Sequence, residues 1–268
     1  MKKQVLLCAC LTALALLCAG CGGHTADSTA NSAGSTSSTP AHSAGSSWAA
    51  SSGSETEPVP DNSANEMPGI TEYTLDRSIT ADGRVLSLRL HGRIDSTDGF
   101  ERIGISAIDV LEGDSLLQTV SIGEAFDRLY RELGFEDWVG QYQWTDCWSE
   151  DGSLTTDDLN FDGYPDLRLM AGAGVVNISY LCWLWDSDAE QFRYAFELVG
   201  YDVQVDAEAK QLVTESRGDA GNYYTDYYRY DDEAGTLVHL KEIHVSAEEA
   251  GSVSEIHELI DGQWVQTQ

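Results

Sequence analysis

Basic residues are scarce in this chain, and the shortage limits what it can bind. Its 268 residues include 15 Lys and Arg against 45 Asp and Glu, which gives a formal net charge of −30. Loss of a leader that contains Lys2 and Lys3 leaves 13 basic residues against 45 acidic ones, a net charge of −32. Such a field repels nucleic acid and anionic headgroups and attracts divalent metals and cationic proteins. We therefore expect no nucleic-acid partner.

Recognisable catalytic motifs are also missing. The sequence has no Gly-x-Ser-x-Gly elbow, no His-Glu-x-x-His motif and no Cys–His pair. Gly172 and Gly174 lack the third glycine and the strand-to-helix context of a nucleotide-binding loop. The sequence therefore gives no positive support for an enzyme. A pair of carboxylates for glycoside hydrolysis stays open among so many acids, because their separation depends on the fold.

No apolar run is long enough to cross a membrane. The N-terminal run covers residues 5–17, about 13 residues behind Met1-Lys2-Lys3, whereas a spanning helix needs about 20. It ends in Leu17-Cys18-Ala19-Gly20-Cys21, which resembles the lipobox of bacterial lipoproteins. The resemblance implies a signal peptide of residues 1–20 and an extracytoplasmic protein anchored to the bacterial cell membrane by lipid on Cys21. An ordinary signal peptide is the alternative.

The residues after the leader have too few apolar side chains for a core. Residues 22–68 are rich in Ser, Thr, Ala, Gly, Asn and Pro and contain no Lys or Arg. Trp48 has no apolar neighbours with which to pack. We expect residues 21–68 to form a lipidated, disordered tether, and residues 69–268 to form one calcium-binding β-domain.

From residue 69 onward, apolar and polar residues mostly alternate with the period of β-strands. Residues 84–93 and 103–110 are predicted strands. Predicted hairpins follow, with strands at 180–185 and 192–198, 202–205 and 211–215, 223–230 and 236–245, and 252–260 and 263–266. The sequence therefore predicts a mainly all-β domain of antiparallel hairpins, either propeller-like or sandwich-like.

One segment has helical spacing instead. Its apolar residues recur between Ile122 and Leu133 at the spacing of one helix face. Ser121 and Glu124 form a capping box, and Gly134 suits the C-terminal stop. We expect one amphipathic helix that packs on a sheet.

An Asp-rich loop carries the most specific chemistry. Oxygen-bearing side chains occupy loop positions 1, 3, 5 and 9, which are Asp158, Asn160, Asp162 and Asp166. Calcium binds about six or seven oxygens, and such a loop adds the position-7 carbonyl, here that of Tyr164. Gly163 permits the sharp turn, and Leu169 at position 12 instead of Glu excludes an EF-hand. The loop predicts a calcium site, with an Asx-rich turn as the alternative.

The loop resembles the calcium loops of integrin-type FG-GAP repeats, which lead directly into a strand through Leu or Val after the last Asp. The likeness extends through a predicted Gly-rich turn at 171–174, Tyr180-Leu181-Cys182-Trp183-Leu184-Trp185-Asp186 and the later hairpins. This order is similar to that of small bacterial periplasmic lipoproteins with a propeller-like, calcium-bound β-domain. One group of them acts as immunity proteins that inhibit lysozyme-type effectors of rival bacteria. The resemblance implies a basic partner protein of that kind.

Two cysteines follow the leader region, and they lie on either side of the Asp-rich loop. In an exported protein, Cys147 and Cys182 predict a disulfide, which loop entropy would make worth about 3–4 kcal/mol before strain. Two buried free thiols are an equally good interpretation.

Aromatic residues and histidines are concentrated near the C-terminus. The strand predicted at 223–230 carries tyrosines on both faces, which suits a binding surface or the edge of a core. His239 and His244 fall on opposite faces of a regular strand, so they cannot hold one metal without a bulge. We interpret both as structural.

These features favour a lipid-anchored, calcium-binding β-domain that acts as a binding or inhibitory module outside the cytoplasm. An envelope enzyme that acts on glycan and a structural envelope protein are the alternatives.

Cys21→Ser tests the predicted anchor. Because lipoprotein signal peptidase acts on the lipid-modified cysteine, the variant should accumulate as uncleaved precursor without lipid. Fatty-acid labelling and membrane fractionation measure this, with Cys8→Ser as the control in the same leader. Unchanged processing and membrane retention of the Cys21 variant would refute the anchor.

Overall fold

The computed structural model describes residues 69–246 and 255–268, and this part of the chain is mainly β-strand. Three antiparallel sheets follow one another along the chain. The first sheet contains β1 (Ile70–Ala81), β2 (Arg84–Asp95), β3 (Arg102–Glu112) and β4 (Ser115–Ser121). The middle sheet contains β5 (Leu167–Ala173), β6 (Ile178–Asp186) and β7 (Gln191–Gly200). The last sheet contains β8 (Asp202–Asp206), β9 (Gln211–Arg217), β10 (Asn222–Asp231), β11 (Thr236–Ser246), β12 (Glu255–Ile260) and β13 (Gln263–Gln266).

The mainly β, antiparallel fold predicted from the sequence is confirmed, and its layers are sandwich-like. The predicted strands are present, most of them a few residues longer at their ends, although residues 252–254 of one predicted strand lie outside the described residues. The sequence did not predict β1 and β4, because each buries few side chains, only Ile79 and Ala81 in β1 and Val120 in β4. Residues 171–173 continue β5 and do not form a turn.

The predicted helix is also confirmed, as α1 (Ile122–Leu133). The side chain of Ser121 accepts the backbone N–H of Glu124 at 3.3 Å, which caps the first turn. Gly134 ends the helix with a φ of 79°, a conformation that glycine adopts without strain. Neither α1 nor the short 3-10 turn Glu136–Trp138 is long and apolar enough to cross a bilayer.

The middle sheet is buried on both faces. Along β6, Leu181, Trp183 and Trp185 belong to a first core cluster that also contains side chains of the first sheet and α1. Cys182 and Leu184, on the other face, belong to a second cluster, which β9 joins and against which β8, β10 and β11 pack. Trp183 and Trp185 therefore lie in the core of the domain.

A bulge in β7 lets one strand contribute to both clusters. Trp183 pairs with Tyr194 while Cys182 pairs with Phe196, so Ala195 is an extra residue in β7. Tyr194 therefore lies in the first cluster and Phe196 in the second.

The disulfide considered for Cys147 and Cys182 is not formed. Both cysteines are free and buried. Cys147 lies in the first cluster, with Sγ 2.8 Å from Thr145 Oγ1 and 3.3 Å from the carbonyl oxygen of Met170. Cys182 lies in the second cluster. The middle sheet separates the two clusters, so the sulfur atoms cannot meet without moving a core strand. The alternative of two buried thiols describes the structure.

Both thiols should be unreactive in the folded protein. Burial raises the pKa of Cys147 to about 11 and also raises that of Cys182. Because the thiolate is the nucleophile, iodoacetamide should modify neither residue at pH 7.5, and both after denaturation without reductant. Mass spectrometry of the two peptides measures this, with Glu208→Cys as an exposed reactive control. Peptides that react only after reduction would instead establish a disulfide.

Candidate metal centre

The Asp-rich loop leads directly into β5, as its sequence predicts. Thr155 and Arg168 exchange two backbone hydrogen bonds, of 3.0 and 3.1 Å, at the base of the loop. The N–H of Asp166 donates to the carbonyl oxygen of Asp157 at 2.9 Å. Residues 158–165 are therefore held as a closed loop on the edge of the middle sheet.

The loop curls around the carboxylate of Asp158. Its Oδ1 accepts the N–H of Asp162 at 3.1 Å, and its Oδ2 accepts the N–H of Gly163 at 2.9 Å. Phe161 and Gly163 have φ values of 65° and 94°, which reverse the chain direction. The N–H of Tyr164 then donates to Asp162 Oδ1 at 2.9 Å.

Three of the predicted ligands lie together at the front of the loop. Besides the Asp158 contacts, the amide of Asn160 donates to Asp162 Oδ2 at 2.9 Å. Asp162 is exposed, while Asp158 and Asn160 are half-buried. These side chains are therefore open to an ion arriving from solvent.

The fourth side chain, Asp166, lies deeper. It is fully buried, and its carboxylate accepts the N–H of Leu159 at 2.7 Å and that of Trp185 at 2.8 Å. Burial raises the pKa of Asp166 to about 7, and the negative charges of Asp162 and Asp158 add to the rise. Asp166 thus joins the loop to β6 while it experiences the field of the other two carboxylates.

The donor set suits a hard cation, but the complete set is not gathered. The predicted ligands offer only oxygen, as calcium prefers and zinc does not. Within residues 69–246 and 255–268, no three His, Cys, Asp or Glu side chains converge closely enough to hold an ion. Asp162 contacts both Asp158 and Asn160, whereas the carboxylate of Asp166 is bound by two backbone amides. The loop therefore has the oxygen ligands and the sharp turn of a calcium site, but its side chains do not all surround one point.

Sequence reasoning missed the role of Asp157, which lies just outside the ligand spacing. Its carboxylate lies 3.3 Å from Nη2 of Arg168. Arg168 also donates to Thr155 Oγ1 at 3.1 Å and to the carbonyl oxygen of Val203 in β8 at 2.9 Å. The pair therefore ties the base of the loop to the last sheet. The only sequence signal for this contact is that two adjacent aspartates are followed by a strand that contains an Arg.

Comparison with known proteins gives little further information. A scan against protein-family models and a search of curated proteins found no match. Among solved structures, the chain is similar to "Structure of a Xanthomonas Type IV Secretion System related protein". The identity is 14% and the TM-score is 0.47, with 76% of this chain and 100% of that chain covered. A likeness at this level supports no functional conclusion.

Calcium should stabilise the protein. An ion bound only by the folded state adds about 2.7 kcal/mol when its free concentration is a hundredfold above Kd. The melting temperature should therefore rise with calcium relative to chelator. Magnesium should raise it much less, because it prefers a tighter octahedron and retains its water.

Asp162→Ala should remove most of this shift, because Asp162 is exposed and its loss leaves the buried contacts in place. Glu208→Ala, an exposed carboxylate in another loop, is the matched control and should leave the shift unchanged. Asp157→Ala is a poor control, since it breaks the pair with Arg168. A wild-type protein that shows no shift at millimolar free calcium has only an Asx-rich turn here.

Proposed function

We propose that the protein is an extracytoplasmic lipoprotein whose β-domain, residues 69–268, binds calcium and acts as a binding or inhibitory module for a basic protein. The partner we favour is a lysozyme-type effector, as in the immunity lipoproteins that the sequence resembles. The anchor on Cys21 and the tether of residues 21–68 lie outside the residues that the structure describes. The observation that carries the proposal is the closed Asp-rich loop fixed to the middle sheet.

Calcium would be held by the side chains of Asp158, Asn160, Asp162 and Asp166 and the carbonyl oxygen of Tyr164. Bound there, the ion would offset the negative charges of Asp158 and Asp162, which add to the rise that burial causes in the pKa of Asp166. It would also fix the loop over the second core cluster, in which Leu159 is fully buried. The role of the ion in this proposal is structural.

Binding of a basic partner is supported by charge. The chain carries a formal net charge of −30 at pH 7. Long-range attraction of this kind raises association rates, while specific contacts must set the affinity. The proposal therefore requires a defined surface, and attraction alone is not enough.

A glycan-acting enzyme is the second candidate, and one observation favours it. A recess of about 710 Å³ on the first sheet is lined by Glu72, His91, Asp109 and Trp144, among others. His91 Nε2 lies 2.7 Å from Asp109 Oδ2. Glycoside hydrolysis requires two carboxyl groups at one site, and Glu72 and Asp109 both line this recess. Clearing of a peptidoglycan zymogram by the wild type but not by Asp109→Asn would favour this function over the first.

Inhibition of wall lysis tests the favoured function. The purified full chain, mixed with a basic lysozyme and cell walls at physiological ionic strength, should slow the fall in turbidity. The effect should weaken when chelator removes calcium. If the inhibition disappears when salt screens charges beyond about 8 Å, the protein attracts cations only non-specifically. That result would contradict the proposal.

A further inference from the structure

The two outermost strands of the last sheet, β12 and β13, contribute no residue to either core cluster of the described residues. Strands β10 to β13 contain no fully buried residue, and every residue of β13 is exposed. The second core cluster includes or contacts residues from β8 to β11 but none from β12 or β13. These two strands nevertheless expose large apolar side chains, among them Ile260 and Trp264. Such exposure is typical of a surface that binds another molecule.

A bulge in β11 brings the histidines to one face of this sheet. Tyr227 pairs with Lys241 while Tyr228 pairs with His239, so Leu240 is an extra residue. His239 and His244, expected on opposite faces of a regular strand, therefore lie on the same face.

Cross-strand pairing adds the remaining members of this face. His244 pairs with Glu255, and Glu242 pairs with both Asp226 and His257. Side chains of directly paired residues lie on the same face of a sheet. We name this surface the histidine face, defined by His239, His244, His257, Asp226, Glu242 and Glu255.

Aromatic rings hold two of the histidines in place. His239 lies between Tyr228 and Trp264, with ring centroids 4.6 Å from each. His244 stacks on Tyr224 at 4.7 Å, with the two rings within 9° of parallel. The rings therefore hold both histidines in fixed positions on this face, and such pre-arrangement lowers the entropy lost on binding.

Carboxylates and amides complete the contacts of the histidines. His239 Nε2 lies 2.8 Å from Asp226 Oδ1, and His257 Nδ1 lies 3.9 Å from Glu242 Oε1. His244 Nε2 lies 2.8 Å from the side-chain oxygen of Asn222. The groups are spread along the strands, and no metal cluster is found among the described residues. A metal site is therefore not the use that this face suggests.

The basic residues of these strands lie on the opposite face. Lys241 lies over the ring of Tyr227 at 5.8 Å and pairs with Glu258 at 3.1 Å, while Arg217 in neighbouring β9 lies over the ring of Tyr223 at 5.2 Å. Tyr223 and Tyr227 alternate with Tyr224 and Asp226 along β10, so they point away from the histidine face. The described part of the histidine face thus has no Lys or Arg, and its carboxylates open to a partner are Glu242 and Glu255, because the side chain of Asp226 is only 13% exposed. Carboxylates beside aromatic rings suit arginine and lysine, which stack on rings and pair with carboxylates.

We propose that the histidine face binds a segment of a partner protein that presents Arg and Lys side chains. The inference rests on the proposed binding of a basic protein and adds the surface on which that protein docks.

Binding of two probes by the full chain tests the surface, namely a basic lysozyme and a fluorescent peptide of six arginines. Fluorescence anisotropy at pH 7.5 and physiological salt gives Kd. Trp264→Ala should weaken binding about tenfold, whereas Val265→Ala should change it less than about twofold. The two side chains are neighbours on opposite faces of β13 and are 44% and 40% exposed. Glu255→Gln should weaken binding more than Glu208→Gln, which removes the same charge from a distant turn.

The outcomes separate this inference from the function on which it rests. If Trp264→Ala and Val265→Ala change Kd equally while the wild type still inhibits lysis, the partner binds elsewhere on the protein. That result would overturn only the proposal for the histidine face. A wild type that binds neither probe at physiological salt would overturn both the face and the proposed function.

Discussion

The buried carboxylate of Asp166 is the contact through which the Asp-rich loop, the middle sheet and the second core cluster are joined. One of its oxygens accepts the amide of Leu159 in the loop, and the other accepts that of Trp185 in β6. Burial of a charge is unfavourable unless it is paired, and here only backbone amides compensate it. A pKa of about 7 records that imbalance. A cation at the loop would relieve it, and this links the position of Asp166 in the fold to the proposed calcium site.

Burial of the middle sheet on both faces determines how the rest of the domain is arranged. Strand β6 presents apolar side chains in both directions, so the first sheet and α1 are needed on one side and the last sheet on the other. The bulge at Ala195 supplies aromatic side chains to both clusters from one strand. The same arrangement separates Cys147 from Cys182 and leaves both thiols without a partner cysteine.

Local features of the fold could be predicted, whereas features set by an extra residue or by packing could not. Alternation of apolar residues located most of the strands, and the Ser121 cap and Gly134 located α1, because these signals act over a few residues. The loop could be found from its spacing for the same reason. The bulge at Leu240 could not, since one extra residue reverses every later face of a strand while the composition stays the same. Two further features likewise depend on tertiary packing. One is the separation of Cys147 from Cys182 by the middle sheet, and the other is the contact between Asp157 and Arg168.

The loop and the histidine face are connected through one set of packed side chains. Leu159 and Phe161 of the loop contribute to the second core cluster, and Tyr228 packs against the same cluster. Tyr228 is also the ring on which His239 stacks. Loosening of the loop would therefore act, through this cluster, on the ring that positions His239. Coupling of this kind is reciprocal, so a partner bound on the histidine face would in turn favour the closed loop and the calcium ion proposed for it. Because Trp264, His244 and His257 do not contact this cluster, loss of calcium would weaken the face near Tyr228 more than at its outer edge.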